Sequence, residues 1–222
     1  MRAEPAAFFT GTPAPFGDGD RSAIGKRRSE AALWLSRQGF SGDEQADRTH
    51  HGGDDRAVCH YPADHLPVWR GRYPGKADAF VPGAFGENIS ANGWLEDQVC
   101  VGDVFRLGEA LIQVSQPRQP CWKVNARFGI DDLSRAMVES RRNGWLYRVL
   151  EPGRVAPGAV LERLESSGPP LPLDRLWTVT LDVADSPDEL MEAAAHPALA
   201  QAWRLRLRTR AEWLLRRCRS RP

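Results

Sequence analysis

At 222 residues the chain is long enough for one full domain with its own core and a small second one. Hydrophobic residues make up 41% and charged residues 27%, the balance of a folded protein rather than a disordered one. The formal charge of +1 gives no overall pull toward nucleic acid or membrane, so any such partner has to be argued from a local patch.

No apolar run reaches the length of a signal-peptide core or a bilayer span, and Cys59, Cys100, Cys121 and Cys218 form no C-x-x-C pair. Both features point to a cytoplasmic, reducing compartment with no membrane partner. They argue against a disulfide framework and against structural zinc.

In chain order, Phe8 to Thr10 predicts a first strand, followed by a Gly/Pro-rich loop from Gly11 to Gly19. Ala31 to Leu35 suits a strand or a helix, and Gly39 to Gly42 breaks it. Asp43 to Arg56 (D-E-Q-A-D-R-T-H-H-G-G-D-D-R) lacks periodicity and reads as loop. Ala57 to Tyr61 begins a strand or a helix, and Pro62 suits the first turn of a helix through Trp69. Phe80 to Phe85, Gly86 to Ser90, Val99 to Leu107 and Ala110 to Val114 read as short strands separated by turns, the pattern of a closed or nearly closed β-barrel. Pro117 and Pro120 each remove a backbone donor, so the last of these strands should end there in a stiff loop.

Asp131 to Glu139 predicts a helix capped by Asp131, with Leu133, Ala136 and Met137 on one face. Gly144 to Leu150 and Val160 to Leu164 supply the last strands. The Pro-rich stretch Ser166 to Pro172 marks a domain boundary that divides 1–165 from 166–222. Beyond it, Leu173 to Val183 suits a helix or a strand. Asp185-Ser186-Pro187 starts a helix that His196-Pro197 ends. From Ala198 a last helix places Trp203, Leu207, Ala211, Leu214 and Cys218 on one face. The expected fold is mainly β with α: a β-barrel with peripheral helices, then a small C-terminal three-helix domain.

The last helix also carries Arg204, Arg206, Arg208, Arg210, Arg216, Arg217, Arg219 and Arg221 against Glu212 alone. A solvated arginine face is preferred to a nucleic-acid site, because no aromatic-interleaved RNA motif or zinc-finger spacing accompanies it.

Three stretches carry candidate chemistry. In Ser115 to Asn125 (S-Q-P-R-Q-P-C-W-K-V-N), Cys121 follows a proline and is flanked in sequence by Arg118 and Lys123. Fixed positive charge biases a thiol toward thiolate, the form that binds soft metals, although on local sequence alone a buried cysteine acting as a small hydrophobe is favoured. In His50-His51-Gly52-Gly53 the glycines let backbone N–H groups approach an anion, and Arg56 can add a bidentate clamp. Adjacent histidines on an extended chain point to opposite sides and would not chelate one metal together. In Gly86-Glu87-Asn88 the side chains offer acceptors to a ligand. The nucleotide-binding glycine motifs and the G-x-S-x-G of serine hydrolases are absent.

These stretches, together with G-F-S-G-D-E-Q-A-D (Gly39 to Asp47), F-G-E-N-I (Phe85 to Ile89) and V-G-D-V-F-R-L-G-E-A-L-I-Q-V-S-Q-P-R-Q-P-C (Val101 to Cys121), resemble the MOSC family. The nearest branch is the one linked to resistance to hydroxylaminopurine, and Asp54 departs from it where proline is expected. The resemblance implies a MOSC-type β-barrel that binds the molybdenum cofactor, with Cys121 as metal ligand and catalytic residue. It implies that Arg118, Arg56, Gly52 and Gly53 hold the phosphate and pterin edges. His51, Gly86, Glu87, Asn88, Ser115 and Gln116 would complete the cofactor site, and Asp43 and Gln45 would lie near the substrate, Asp43 as a second candidate catalytic residue. The activity it implies is reduction of N-hydroxylated small molecules, with electrons from a separate flavoprotein-type reductase. A homodimer is left open and no nucleic-acid partner is expected. The alternative is a carrier that uses Cys121 as a persulfide or anchor without turnover.

Overall fold

The structure is a computed structural model that describes residues 6–17, 19–47, 51–166, 168–181 and 186–219, without the side chains of residues 218 and 219. The readings made for His50, Asp185, the Cys218 side chain and Arg221 lie outside the described residues.

The first strands are short: β1 (Ala7–Thr10), β2 (Ala14–Phe16), β3 (Asp20–Ser22), β4 (Arg27–Arg28), β5 (Leu33–Ser36) and β6 (Gly39–Phe40). A 3-10 turn at Asp54–Arg56 leads into β7 (Val58–Pro62), and another at Ala63–His65 into helix α1 (Leu66–Arg72). The proline in the first turn of α1 is Pro67, whereas Pro62 ends β7. Next come β8 (Ile89–Ala91), β9 (Asp103–Leu107) and β10 (Ala110–Pro117). Helices α2 (Trp122–Phe128) and α3 (Leu133–Glu139) precede β11 (Trp145–Glu151), β12 (Gly153–Val155) and β13 (Leu161–Ser166). Three helices finish the chain: α4 (Leu173–Leu181), α5 (Pro187–Ala195) and α6 (Gln201–Arg219).

Strand β11 shows why these segments pair. Its residues alternate inward and outward, so Trp145, Tyr147 and Val149 fill the interior. Eight strands form one mixed sheet in the order β13-β9-β10-β11-β7-β8-β1-β4, curled into a half-barrel. Neighbours run antiparallel except β7 and β8, which pair in parallel from His60↔Ile89 to Pro62↔Ala91. A parallel pair needs a crossover connection, and α1 with the turns that follow it provides one.

Several local expectations change. Gly11 to Gly19 contains a strand, because Ala14–Phe16 pairs with Asp20–Ser22. Phe80 to Phe85 is a series of turns: Gly83 has φ 86°, and Phe80 and Phe85 stack with Phe128 rather than alternate across a sheet. Strand β10 is longer than Ala110 to Val114 but ends at Pro117 as the prolines predict; Pro117 faces Trp145 beyond an irregularity between Val114 and Gln116, where the missing N–H is tolerated. Residues 122–128 form a helix that the sequence reading did not include. The N-cap position of α3 belongs to Asp132, not Asp131.

The C-terminal segment from Leu173 is helical, and α5 starts as expected, with the Ser186 hydroxyl accepting from Glu189 N–H at 3.3 Å. Trp203, Leu207, Ala211 and Leu214 are buried. Leu176, Trp177, Leu190 and Trp203 belong to the same apolar cluster as the barrel residues Ile112, Val114 and Trp145. Ala200 N–H also donates to Ser115 O at 2.9 Å. The helices thus bring α6 against the end of β10, where the candidate site lies.

Candidate functional site

A cleft of about 710 Å3 forms where stretches distant in sequence converge: residues 22–26, 43–47, 51–59, 85–88, 116–123 and 202–206, with Leu146. The sequence-predicted residues His51, Gly52, Arg56, Gly86, Asn88, Gln116, Arg118 and Cys121 line it, as does Asp43. Gly53, Glu87 and Ser115 do not.

Arg118 is the centre of the site. Its backbone N–H donates to Gly144 O at 3.0 Å and its Nη2 donates to Phe85 O at 2.5 Å. Its Nη1 is buried without a hydrogen-bond partner, and so is Gln116 Oε1, two positions earlier on β10. A buried polar atom left without a partner costs about 1–3 kcal/mol, more when charged, so these two atoms are open to a partner such as a ligand or a water. Burial would lower the Arg118 pKa, but Cys59, Glu87, Cys121 and Tyr61 around it raise it above its ordinary value. The guanidinium therefore stays charged.

Cys121 is a half-buried free thiol at the N-cap position of α2, in extended conformation (φ −122°, ψ 173°). On the facing loop, Gly52 and Gly53 adopt φ 87° and 86°, the left-handed region that glycine enters without strain. The turn after them is fixed to the barrel, because Arg148 Nε donates to Asp55 Oδ1 at 2.8 Å. Arg56 N–H closes that turn on Gly53 O at 2.8 Å. Burial lowers the His51 pKa; Lys123, Arg118 and Arg56 lower it further, and Asp47 opposes them. His51 is thus neutral at neutral pH, in a field made positive by one lysine and two arginines.

Other predicted residues line the cleft or brace the segments behind it. Asp43 has a side chain only 2% exposed: its Oδ1 pairs with Lys26 and accepts from Gly11 N–H at 2.9 Å, and its Oδ2 accepts from Asn88 Nδ2 at 2.8 Å. Asn88 also donates to Phe9 O at 3.1 Å and accepts from Cys59 N–H at 3.0 Å, which ties β1 and β7 together. Glu87 accepts from Gly83 N–H at 2.6 Å and Phe85 N–H at 3.0 Å, while burial pushes its pKa up. The Ser115 hydroxyl lies 2.5 Å from Asp55 O and 2.9 Å from Leu146 O, sharing one proton between them. Gly86 (φ 76°) lets the chain pass Ile24, whose Cγ1 would lie 2.8 Å from an added Cβ.

The cleft also contains Lys26, Cys59, Trp122, Lys123, Trp203 and Arg206, which the sequence reading did not assign to the site. Trp122 lay inside the quoted cysteine motif, Cys59 had been counted only among the lone cysteines, and Lys123 and Arg206 had been noted as charges. Lys26 gave no signal, since only the fold brings it to Asp43. Burial raises the Cys59 pKa, so this thiol is held protonated.

A curled mixed sheet, a proline-bounded cysteine loop and a left-handed glycine pair beside one cleft mark the class. The MOSC domain family model matches residues 47–162, and the chain belongs to that family. More narrowly, it is similar to Protein YiiM of Escherichia coli (strain K12), at 48% identity over 158 residues, which cover 71% of this chain and 70% of that protein. The crystal structure of YiiM from Escherichia coli superposes with a TM-score of 0.81 at 34% identity, covering 96% of this chain and 94% of the other. A protein named Reductase from Gibberella moniliformis is 38% identical over 149 residues, which are 67% of this chain but only 26% of that protein. MOSC domains are associated with binding of the molybdenum cofactor. Among the described residues no helix is long and apolar enough to cross a membrane.

Proposed function

We propose that this protein is a molybdenum-cofactor-dependent reductase of N-hydroxylated compounds of the hydroxylaminopurine type, with Cys121 as the protein ligand to the metal. The observation that carries the reading is the pair of unpartnered buried atoms, Arg118 Nη1 and Gln116 Oε1, in the same cleft as the Cys121 thiol. A ligand that satisfies all three must be anionic, rich in hydrogen-bonding groups and soft at one end, and the molybdenum cofactor has that chemistry. Arg118, Arg56 and the Gly52-Gly53 backbone would hold its phosphate and pterin edges. His51, neutral and exposed at the cleft, would donate one hydrogen bond and accept another. When bound, the cofactor supplies a metal centre that exchanges two electrons.

The overall reaction takes R–NHOH, two electrons and two protons to R–NH2 and water. A separate flavoprotein-type reductase would supply the electrons. The Gibberella moniliformis relative named Reductase supports an oxidoreductase reading, because it shares this segment within a much longer chain.

The test is to purify the protein from a host that makes the cofactor and to measure bound molybdenum and reduction of 6-hydroxylaminopurine with several electron donors. Wild type should carry close to one metal per chain and turn over. Cys121→Ala should lose turnover, and Arg118→Met should lose metal. Folded wild type without molybdenum would overturn the reading. Metal without turnover, whatever the donor, would favour a carrier that uses Cys121 as an anchor.

A further inference from the structure

Three tryptophans are strongly exposed among the described residues: Trp34 at 52%, Trp122 at 51% and Trp213 at 45%. Only Trp122 lines the cleft. It follows Cys121 directly, so the indole and the candidate metal ligand share one lip. The other cleft tryptophan, Trp203, is 3% exposed and committed edge-on to Trp177 at 5.2 Å.

The Trp122 ring is held without being covered. Phe16, on the β2–β3 hairpin, lies 6.0 Å away at an interplanar angle of 50°. Lys123 Nζ sits 5.8 Å from the ring centroid and donates to Arg21 O at 3.0 Å, which fastens this lip to the same hairpin. An indole braced by an aromatic and a cation, with half its surface still open beside a cleft, offers a π-face to a planar ligand. The cleft wall below offers hydrogen-bonding atoms at Arg118 and Gln116 but no second exposed aromatic.

We propose that Trp122 is the stacking platform for the planar ring of the substrate, so that the site selects heteroaromatic N-hydroxylated compounds over aliphatic ones. This rests on reading the cleft as a site for N-hydroxylated substrates. Stacking of a base on an aromatic side chain corresponds to about 5- to 150-fold in affinity.

The experiment compares 6-hydroxylaminopurine with acetohydroxamic acid, an aliphatic N–O compound, on the cofactor-loaded protein. Isothermal titration calorimetry gives Kd, and steady-state kinetics give KM and kcat. In Trp122→Ala the preference for the purine should fall by about 5- to 150-fold, through Kd and KM rather than kcat. Trp122→Phe should restore most of that preference. Equal weakening of both ligands, or an unchanged preference, would overturn the proposal. Purine binding that depends on Trp122 in a protein that reduces nothing would uphold the platform and sink the reductase reading. Reduction of both compounds with a preference indifferent to Trp122 would do the reverse.

Discussion

Acidification should weaken this fold through one histidine whose contribution can be worked out. His60 on β7 is fully buried, with its ring 4.4 Å from that of Trp145 and its Nδ1 3.1 Å from the Tyr147 hydroxyl. Burial, with a smaller push from His65, lowers its pKa from 6.5 to about 3. The folded state therefore keeps His60 neutral in a range where the unfolded chain takes up a proton. Its effect is absent above pH 6.5 and grows as the pH falls from 6.5 toward 3, levelling off once the folded form protonates as well. Each pH unit inside that window removes about 1.4 kcal/mol, so going from pH 7.5 to 4.5 removes roughly 2–3 kcal/mol. His60→Gln keeps a polar partner for Tyr147 and does not titrate. Its lost packing lowers stability at both pH values, so the quantity to compare is the acid-induced change in each protein. Urea unfolding followed by tryptophan fluorescence should show the wild-type midpoint falling by about 1 M more than that of the variant. Equal acid shifts in the two proteins would refute the account.

Three substitutions test the packing of the cleft and of the segments that support it. Asp43→Ala leaves Lys26, whose side chain is 7% exposed, as an uncompensated buried charge, and should lower stability by about 3–5 kcal/mol in urea unfolding. Adding Lys26→Met should recover much of that loss; a fully stable Asp43→Ala would refute the structural role and leave open the catalytic role that the family resemblance implies. Gly144→Ala should abolish soluble expression, because φ is 70° and the new Cβ would lie 2.2 Å from His60 O in the neighbouring strand. Gly53→Ala meets no atom within 4 Å and should cost only the strain of its positive φ, about 1–3 kcal/mol, measured as a fall in Tm.

The parts of the fold legible in sequence were those that local chemistry decides. Ala110 to Val114 and Gly144 to Leu150 read as strands because their β-branched and aromatic residues suit a half-buried ladder, and both are strands. The stop at His196-Pro197 was visible for the same reason. Phe80 to Phe85 misled because a phenylalanine at each end resembles a strand. Those rings are buried by stacking between loop and helix, which no period of two encodes. Helix α2 was hidden behind Pro117 and Pro120, although Trp122 to Phe128 contains no breaker of its own. In the site, local residue types singled out Cys121 and the glycine pair but favoured a bland role for each, and only the family resemblance joined them with Arg118 into a candidate cofactor site. The Lys26–Asp43 pair was out of reach, since it joins loops that meet at the end of β1, where β4 pairs with it and Gly11 N–H donates to Asp43.

Hydrogen-bond capacity divides the candidate residues more sharply than position does. Asp43, Asn88, Glu87 and Ser115 are polar and lie in or beside the cleft, yet their side-chain oxygens and amides already have protein partners. Each of those bonds joins segments far apart in sequence or braces the turn before β8, so these residues shape the walls. Arg118 Nη1 and Gln116 Oε1 lack partners, and the Cys121 thiol is free. A fold that spends four polar side chains on itself while leaving a buried guanidinium nitrogen unpaired retains that nitrogen at a cost to its own stability. That cost is offset only when an acceptor arrives. Loading the cofactor should therefore raise the Tm of wild type more than that of Arg118→Met, and equal shifts would move the anion contact elsewhere in the cleft.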